Sequence, residues 1–233
     1  MLNKIRKILR KHRFDIFLSS QIAVLFGSIL FSEELFENTL QPILVSFTIV
    51  GGINLISSNK KLMWFFIVLF VGAAYLFGAD LIMRSTNADR IMVRMGIYLL
   101  FSATITMSLI KQVWKAKRVT DNVIMGLISG YISLGFMSFF LFMLIEFSHP
   151  GAFKGVLLQS DDYFIKADAI MYYAFITLLT IGYGEIVPVI PVAQKAAIFT
   201  GLAGQFYLII IMTVVLEKYI RHSVNKENKN QNH

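Results

Sequence analysis

The sequence predicts an all-α membrane protein, with six transmembrane helices and one re-entrant segment between the last two. Three observations carry this prediction. Of 233 residues, 56% are hydrophobic and only 15% charged, with a mean hydropathy of +0.66. An ordinary soluble domain is about 45–50% apolar and about a quarter charged. Six apolar runs are long enough to be candidates for crossing a bilayer, which takes about 20 helical residues. Between the fifth and sixth lies a polar stretch followed by an apolar run too short to cross.

The runs are Phe14–Phe31, Leu40–Ile56, Leu62–Ile82, Ile91–Ile110, Val123–Phe147 and Ala193–Leu216. The first follows a basic start, as a secretory signal would. It continues to Phe31, ends in Ser32-Glu33-Glu34-Leu35 and has no small-x-small cleavage site, so it reads as a retained helix. Ahead of it, Leu2, Ile5, Ile8 and Leu9 alternate with basic residues at helical spacing. Residues 1–13 are therefore expected to lie on anionic membrane lipids as an interfacial segment. The second run is the shortest and contains Pro42, Gly51 and Gly52. Residues 14–111 form a four-helix bundle, 112–122 an amphipathic linker, 123–219 a second domain and 220–233 a polar, disordered tail.

Charge orients these runs. With the N-terminus in the cytoplasm, most of the 22 basic residues fall inside, including Lys4, Arg6, Lys60, Lys61, Lys115, Lys117, Arg118, Lys218 and Arg221. Glu33, Glu34, Glu37, Asp161, Asp162 and Glu185 collect outside. The bias predicts a multi-pass protein with both termini cytoplasmic, and a compact chain of this type suggests the plasma membrane. The bias also accounts for the net charge of +8 without a nucleic-acid partner, since no basic module stands outside the membrane. The absence of cysteine excludes disulfides, thiolate metal sites and a cysteine nucleophile. His12, His149, His222 and His233 are scattered, so neither an enzyme nor a resident cofactor is expected.

The re-entrant segment carries the chemistry. Ser148–Lys166 reads as a polar loop, Asp168 as the cap of a short helix over Ala169–Leu179, and Pro188 and Pro191 as helix stops before the sixth run. Thr180-Ile181-Gly182-Tyr183-Gly184 follows the short helix. Non-helical backbone is tolerated at membrane depth only where protein or a water-filled cavity surrounds it. A cation stripped of water needs oxygen ligands, and successive backbone carbonyls aimed at one axis supply them. Gly182 and Gly184 offer positive φ at little cost, and the Thr180 hydroxyl adds a further oxygen. Tyr183 is expected to brace the loop through its hydroxyl against a pore helix. The C-terminus of the short helix places partial negative charge near the cation.

Thr177-Leu178-Leu179-Thr180-Ile181-Gly182-Tyr183-Gly184-Glu185 resembles the potassium channel family, whose pattern is T-x-x-T-x-G-Y-G followed by an acid. The resemblance spans Val123–Tyr219, and Gly204-Gln205-Phe206-Tyr207 is similar to bacterial members of the ion-transport-2 group. It implies a selectivity filter at Thr180–Gly184, with potassium ions held at Thr180, Ile181, Gly182 and Tyr183. It also implies a homotetramer that closes four loops into a ring. Support is implied from Thr177, from Tyr172 and Tyr173 as an aromatic cuff, and from Glu185. Glu146 either hydrogen-bonds behind the filter or sits among headgroups. Gly204, twenty residues past Gly184, is either an inner-helix hinge or, with Gly201, a packing glycine, whereas Gly126 and Gly130 read as packing. Ile176 stands where some relatives carry a glutamate that pairs with the acid after the filter, so that pair is absent.

The bundle does not read as a voltage sensor. Arg90 and Arg94 sit at the outer end of the fourth run, Met95–Ile110 is uncharged, and the second run has no acid. Asp80 and Asp89 are expected to pair with Arg84, Arg90 or Arg94. The prediction is a potassium-selective channel with weak or no voltage dependence. Two alternatives remain: a non-selective cation channel, which normally lacks the Tyr or second Gly of the filter, and a non-conducting scaffold that retains a pore domain.

Overall fold

The computed structural model describes residues 13–31, 35–36, 40–56, 59–83, 88–115, 121–160, 162–209 and 213. Long helices come first: α1 (Arg13–Leu30), α2 (Gln41–Ile56), α3 (Lys60–Met83), α4 (Ala88–Lys115) and α5 (Asp121–Ser148). A short strand β1 (Phe153–Lys154), a 3-10 turn (Leu157–Gln159) and helix α6 (Tyr163–Leu178) follow. Strand β2 (Val187–Pro188) pairs antiparallel with β1, and helix α7 occupies residues 191–209. Among the described residues Arg13–Leu30, Met92–Gln112 and Val123–Ser148 are long and apolar enough to cross a membrane, and Ile43–Ile56 is apolar but shorter. The protein is a mostly helical membrane protein.

Two cores organise it. In the first, Phe14, Phe17, Leu55, Ile56, Phe66, Phe101, Ile105 and Leu109 join α1 to α4. Phe101 is the hub, met edge-on by Phe66 at 5.3 Å and Phe70 at 4.7 Å. Gly52 lets α2 approach it, since a Cβ there would stand 2.6 Å from Phe101 Cζ. The second core lies between α5, α6 and the outer loop, around Phe142, Met143, Phe153, Ile170, Tyr173 and Ala174. Helix α4 runs along α5, and α1 also packs on α5, so the bundle rests on the second unit of its own chain.

Several boundaries differ from the sequence expectation. Helix α4 continues to Lys115 and α5 begins at Asp121, so the linker expected over 112–122 is mostly helix at both ends. Helix α6 starts at Tyr163, six residues before Ala169, and Asp168 lies inside it instead of capping it. The cap is Asp162, with extended backbone (φ −73, ψ 124), whose carboxylate accepts the Phe164 N–H at 2.8 Å. The Ser160 hydroxyl accepts the Asp162 N–H at 3.1 Å and fixes the approach. Pro191 opens α7 and does not stop it. A proline fits the first helical position because the N–H it lacks would be unpaired there anyway. The interfacial segment before Arg13, residues 116–120, the tail 220–233 and the end of the sixth run beyond 213 lie outside the described residues. So do the side chains of Asp80, Arg84, Asp89 and Arg90, and with them the expected ion pairs.

Candidate ion-conduction site

The loop at Thr180–Gly184 begins as the C-terminal cap of α6. The Ile181 N–H donates to Ile176 O at 2.9 Å and the Thr180 N–H to Thr177 O at 3.1 Å. These are the two reversed bonds of a Schellman motif, which requires its C′ residue in the left-handed region. That residue is Thr180, at φ 58, where glycine is usual. A left-handed non-glycine costs about 1–2 kcal/mol. Such an outlier persists where a side chain is needed, and the hydroxyl of Thr180 is the group glycine could not supply.

Backbone direction follows from the same bonds. Gly182 N–H also turns to Ile176 O, at 3.4 Å. A trans peptide sets its C=O opposite its N–H. The carbonyls of Thr180 and Ile181 therefore both turn away from α6, on the same side of the chain. Positive φ recurs at Thr180 (58), Gly182 (57) and Gly184 (90), with Ile181 and Tyr183 between them outside that region. This alternation cancels the side-to-side alternation of an ordinary strand. Sequence reasoning foresaw the two glycines. It gave no signal for Thr180, because threonine is not a residue that announces left-handed backbone.

The outer side of the loop is tied down by its neighbours. Tyr172 of α6 stands close to the Glu185 carboxylate, so the acid after the loop has a phenol beside it, where Ile176 offers no carboxylate. Tyr173 points the other way, into the core beside Phe142 (5.2 Å) and Phe153 (5.4 Å). The two tyrosines are thus split between loop and core instead of forming one cuff on one face. Glu146 accepts the N–H groups of Gly151 at 2.9 Å and Phe153 at 3.1 Å. It caps the turn after α5. That turn leads into β1, which pairs with β2, and the Val189 N–H donates to Ala152 O at 2.9 Å. Glu146 therefore acts on the exit of the loop through two strands. Tyr183 is 73% exposed within one chain, so the brace expected of its hydroxyl on a pore helix is not made inside the chain.

The inner side is clamped at one carbonyl, Leu178 O, in the last turn of α6. The Tyr131 hydroxyl of α5 donates to it at 3.3 Å. From α7, Gly204 passes so close that a Cβ would stand 2.5 Å from it. Gly204 thus has a packing reason to be glycine. Gly130 likewise makes room for Tyr207, whose hydroxyl donates to Leu127 O at 2.7 Å. Gln205 Nε2 donates to Thr180 Oγ1 at 3.2 Å, a contact the sequence reading did not anticipate. Its signals were a lone amide in an apolar helix and its place in the stretch Gly204-Gln205-Phe206-Tyr207, neither of which names a partner. Buried Thr200 donates to Ser138 at 3.2 Å and joins α7 to α5 higher up.

A protein-family model described as ion channel, of the ion-transport-2 type, matches residues 156–221. That stretch, from the 3-10 turn through α6, the loop and α7, is an ion channel domain, and it indicates ion channel function. The family is one of channels and not of enzymes. No curated protein and no solved structure matches the chain at a significant level.

Proposed function

We propose that the protein is a potassium-selective channel that conducts passively. The observation that carries this reading is the pair of N–H groups, Ile181 and Gly182, turned to one carbonyl of α6, which sends the carbonyls of Thr180 and Ile181 to the opposite side together. A column of such oxygens replaces the hydration shell of a dehydrated cation. Potassium ions are then held at Thr180, Ile181, Gly182 and Tyr183, with Thr177, Tyr172, Glu185 and Glu146 as support. Tyr183 and Gly184 favour potassium selectivity over a non-selective cation pore.

One chain contributes one side of the ion path, so the channel is a homotetramer with the loops on its axis. Exposure of Tyr183 and of Phe199 and Phe206 on α7 within one chain agrees with such a neighbour. In this reading α1 to α5 and α7 are six spans, both termini are cytoplasmic and the loop lies in the outer half of the plasma membrane. Voltage dependence is weak or absent. A charge crossing the whole field yields about 2.3 kcal/mol per 100 mV, so steep gating needs several moving charges. Arg94 lies close to Tyr163 at the start of α6, beside the unit that carries the loop.

Purified protein in liposomes tests this. Potassium flux that barium blocks, with little sodium flux, is the expected result. Equal sodium flux supports the non-selective channel, and no flux supports the scaffold. Bilayer recording adds the voltage arm: a conductance changing e-fold within a few millivolts would sink the claim of weak dependence.

A further inference from the structure

Helix α7 meets the loop through one amide. Gln205 follows directly on Gly204, the point of closest approach to α6, and its Nε2 donates to Thr180 Oγ1 at 3.2 Å. Both residues are exposed in the single chain, as are Ile181 and Tyr183, so the bond lies along the edge of the loop and not in the core behind it. The neighbours of Gln205 on α7 are Leu202, Phe206, Leu208 and Ile209, all apolar and exposed. The other polar side chain nearby, Tyr207, is engaged at Leu127 O. An amide in such a stretch is costly in a membrane and marks a polar task.

The task follows from the chemistry of threonine. Its γ-methyl and γ-hydroxyl are close in size, so packing alone chooses poorly between the rotamers that exchange them. An N–H donor is satisfied only by the oxygen, so the bond from Gln205 selects the rotamer. A hydroxyl oxygen has two acceptor lone pairs. One receives Nε2–H and the other stays available to a cation. We propose that Gln205 is a positioning residue that holds the Thr180 hydroxyl oxygen as a ligand and so sets the affinity of the inner end of the ion path for dehydrated cations. The inference rests on the potassium-channel reading above and adds to it a residue outside the filter loop.

The test uses the full chain in liposomes and inhibition of potassium flux by barium from the cytoplasmic side, a divalent cation that depends strongly on its oxygen ligands. Gln205→Met keeps the length and removes the donor. Its half-inhibiting barium concentration is expected to rise about 5–10-fold, the effect of losing one hydrogen bond. In a Thr180→Cys background, where a thiol is a poor acceptor, the same substitution is expected to add less than about twofold, the non-additivity of two groups in contact. The melting temperature of the assembled protein is expected to stay with wild type, which a merely structural role would move. Gln205→Leu reads the same quantity if Gln205→Met does not assemble. Unchanged barium sensitivity, or an equal shift in both Thr180 backgrounds, overturns the inference while wild-type flux leaves the potassium reading standing. Absence of potassium flux in wild type overturns both.

Discussion

The two halves of the chain combine apolar packing and directional bonds in different proportions. In the bundle α1–α4 the core is apolar, with phenylalanine edges around Phe101 and Gly52 admitting a neighbour, and a directional bond from Gln112 Nε2 to Leu55 O at 3.4 Å ties α4 to α2. In the unit from α5 to α7, nearly every junction carries a directional bond. Glu146 fixes the turn after α5, Asp162 the start of α6, the Schellman bonds its end, and Tyr131, Tyr207 and Gln205 its neighbours. Apolar packing is non-directional and tolerates small shifts. A hydrogen bond weakens steeply as its angle departs from linear. An ion path whose oxygens must converge needs the second kind of constraint. A bundle that only surrounds it can rely on the first.

The largest break in that contrast is expected at Gly182. A Cβ there meets nothing within 4 Å in the chain, so the penalty is in the backbone alone, at φ 57. Left-handed alanine costs about 1–2 kcal/mol per chain, or roughly 4–8 kcal/mol around the proposed ring of four. Gly182→Ala is expected to abolish barium-sensitive potassium flux while the bundle keeps its helical circular dichroism. Retained selective flux would mean that the alternating backbone is not what sets the path.

Glycines on two helices give the next comparison. Gly204→Ala drives a Cβ into Leu178 O, a backbone atom that cannot rotate away. Overpacking of this sort costs about 1–3 kcal/mol, and a lowered melting temperature in detergent is the expected reading. Gly72→Ala, on α3, meets nothing within 4 Å. It is expected to stabilise by about 0.5–1 kcal/mol, the helix preference for alanine over glycine. If the two substitutions shift melting equally, the close approach at Leu178 O is not a constraint.

The contrast also explains what could be read in advance. The long apolar runs show in the sequence because burial in lipid depends on composition and length, so α1, α4 and α5 are found within a few residues. The glycines at 182 and 184 show because only glycine takes that backbone freely. The bonds that fix the unit did not show. Asp162 and Asp168 are both acids near a helix start, and choosing Asp162 needed Ser160 and the extended backbone. Glu146 reaches Phe153 through a turn made by Gly151 at φ 82, a geometry no spacing announces. Thr180 mimics glycine at a helix end while keeping a hydroxyl.

The smallest effect tests the seam between the halves. Gln21 of α1 is 1% exposed, and its Nε2 donates to Ser133 Oγ of α5 at 2.8 Å. Its Oε1 is buried with no hydrogen-bond partner among the described residues. A buried amide half-satisfied gains about one hydrogen bond and loses the solvation of the other group, so the net is near zero. Replacing both partners by apolar groups of similar shape removes both terms and leaves no orphan. Gln21→Leu combined with Ser133→Ala is therefore expected to change stability by less than about 0.5 kcal/mol, or to raise it slightly. Ser133→Ala leaves the whole amide buried without its partner and is expected to cost about 1–3 kcal/mol. Melting of both variants in detergent reads the difference. If the double variant is as harmful as Ser133→Ala alone, the seam depends on the directional bond, and the apolar half of the contrast ends at α1 instead of at α5.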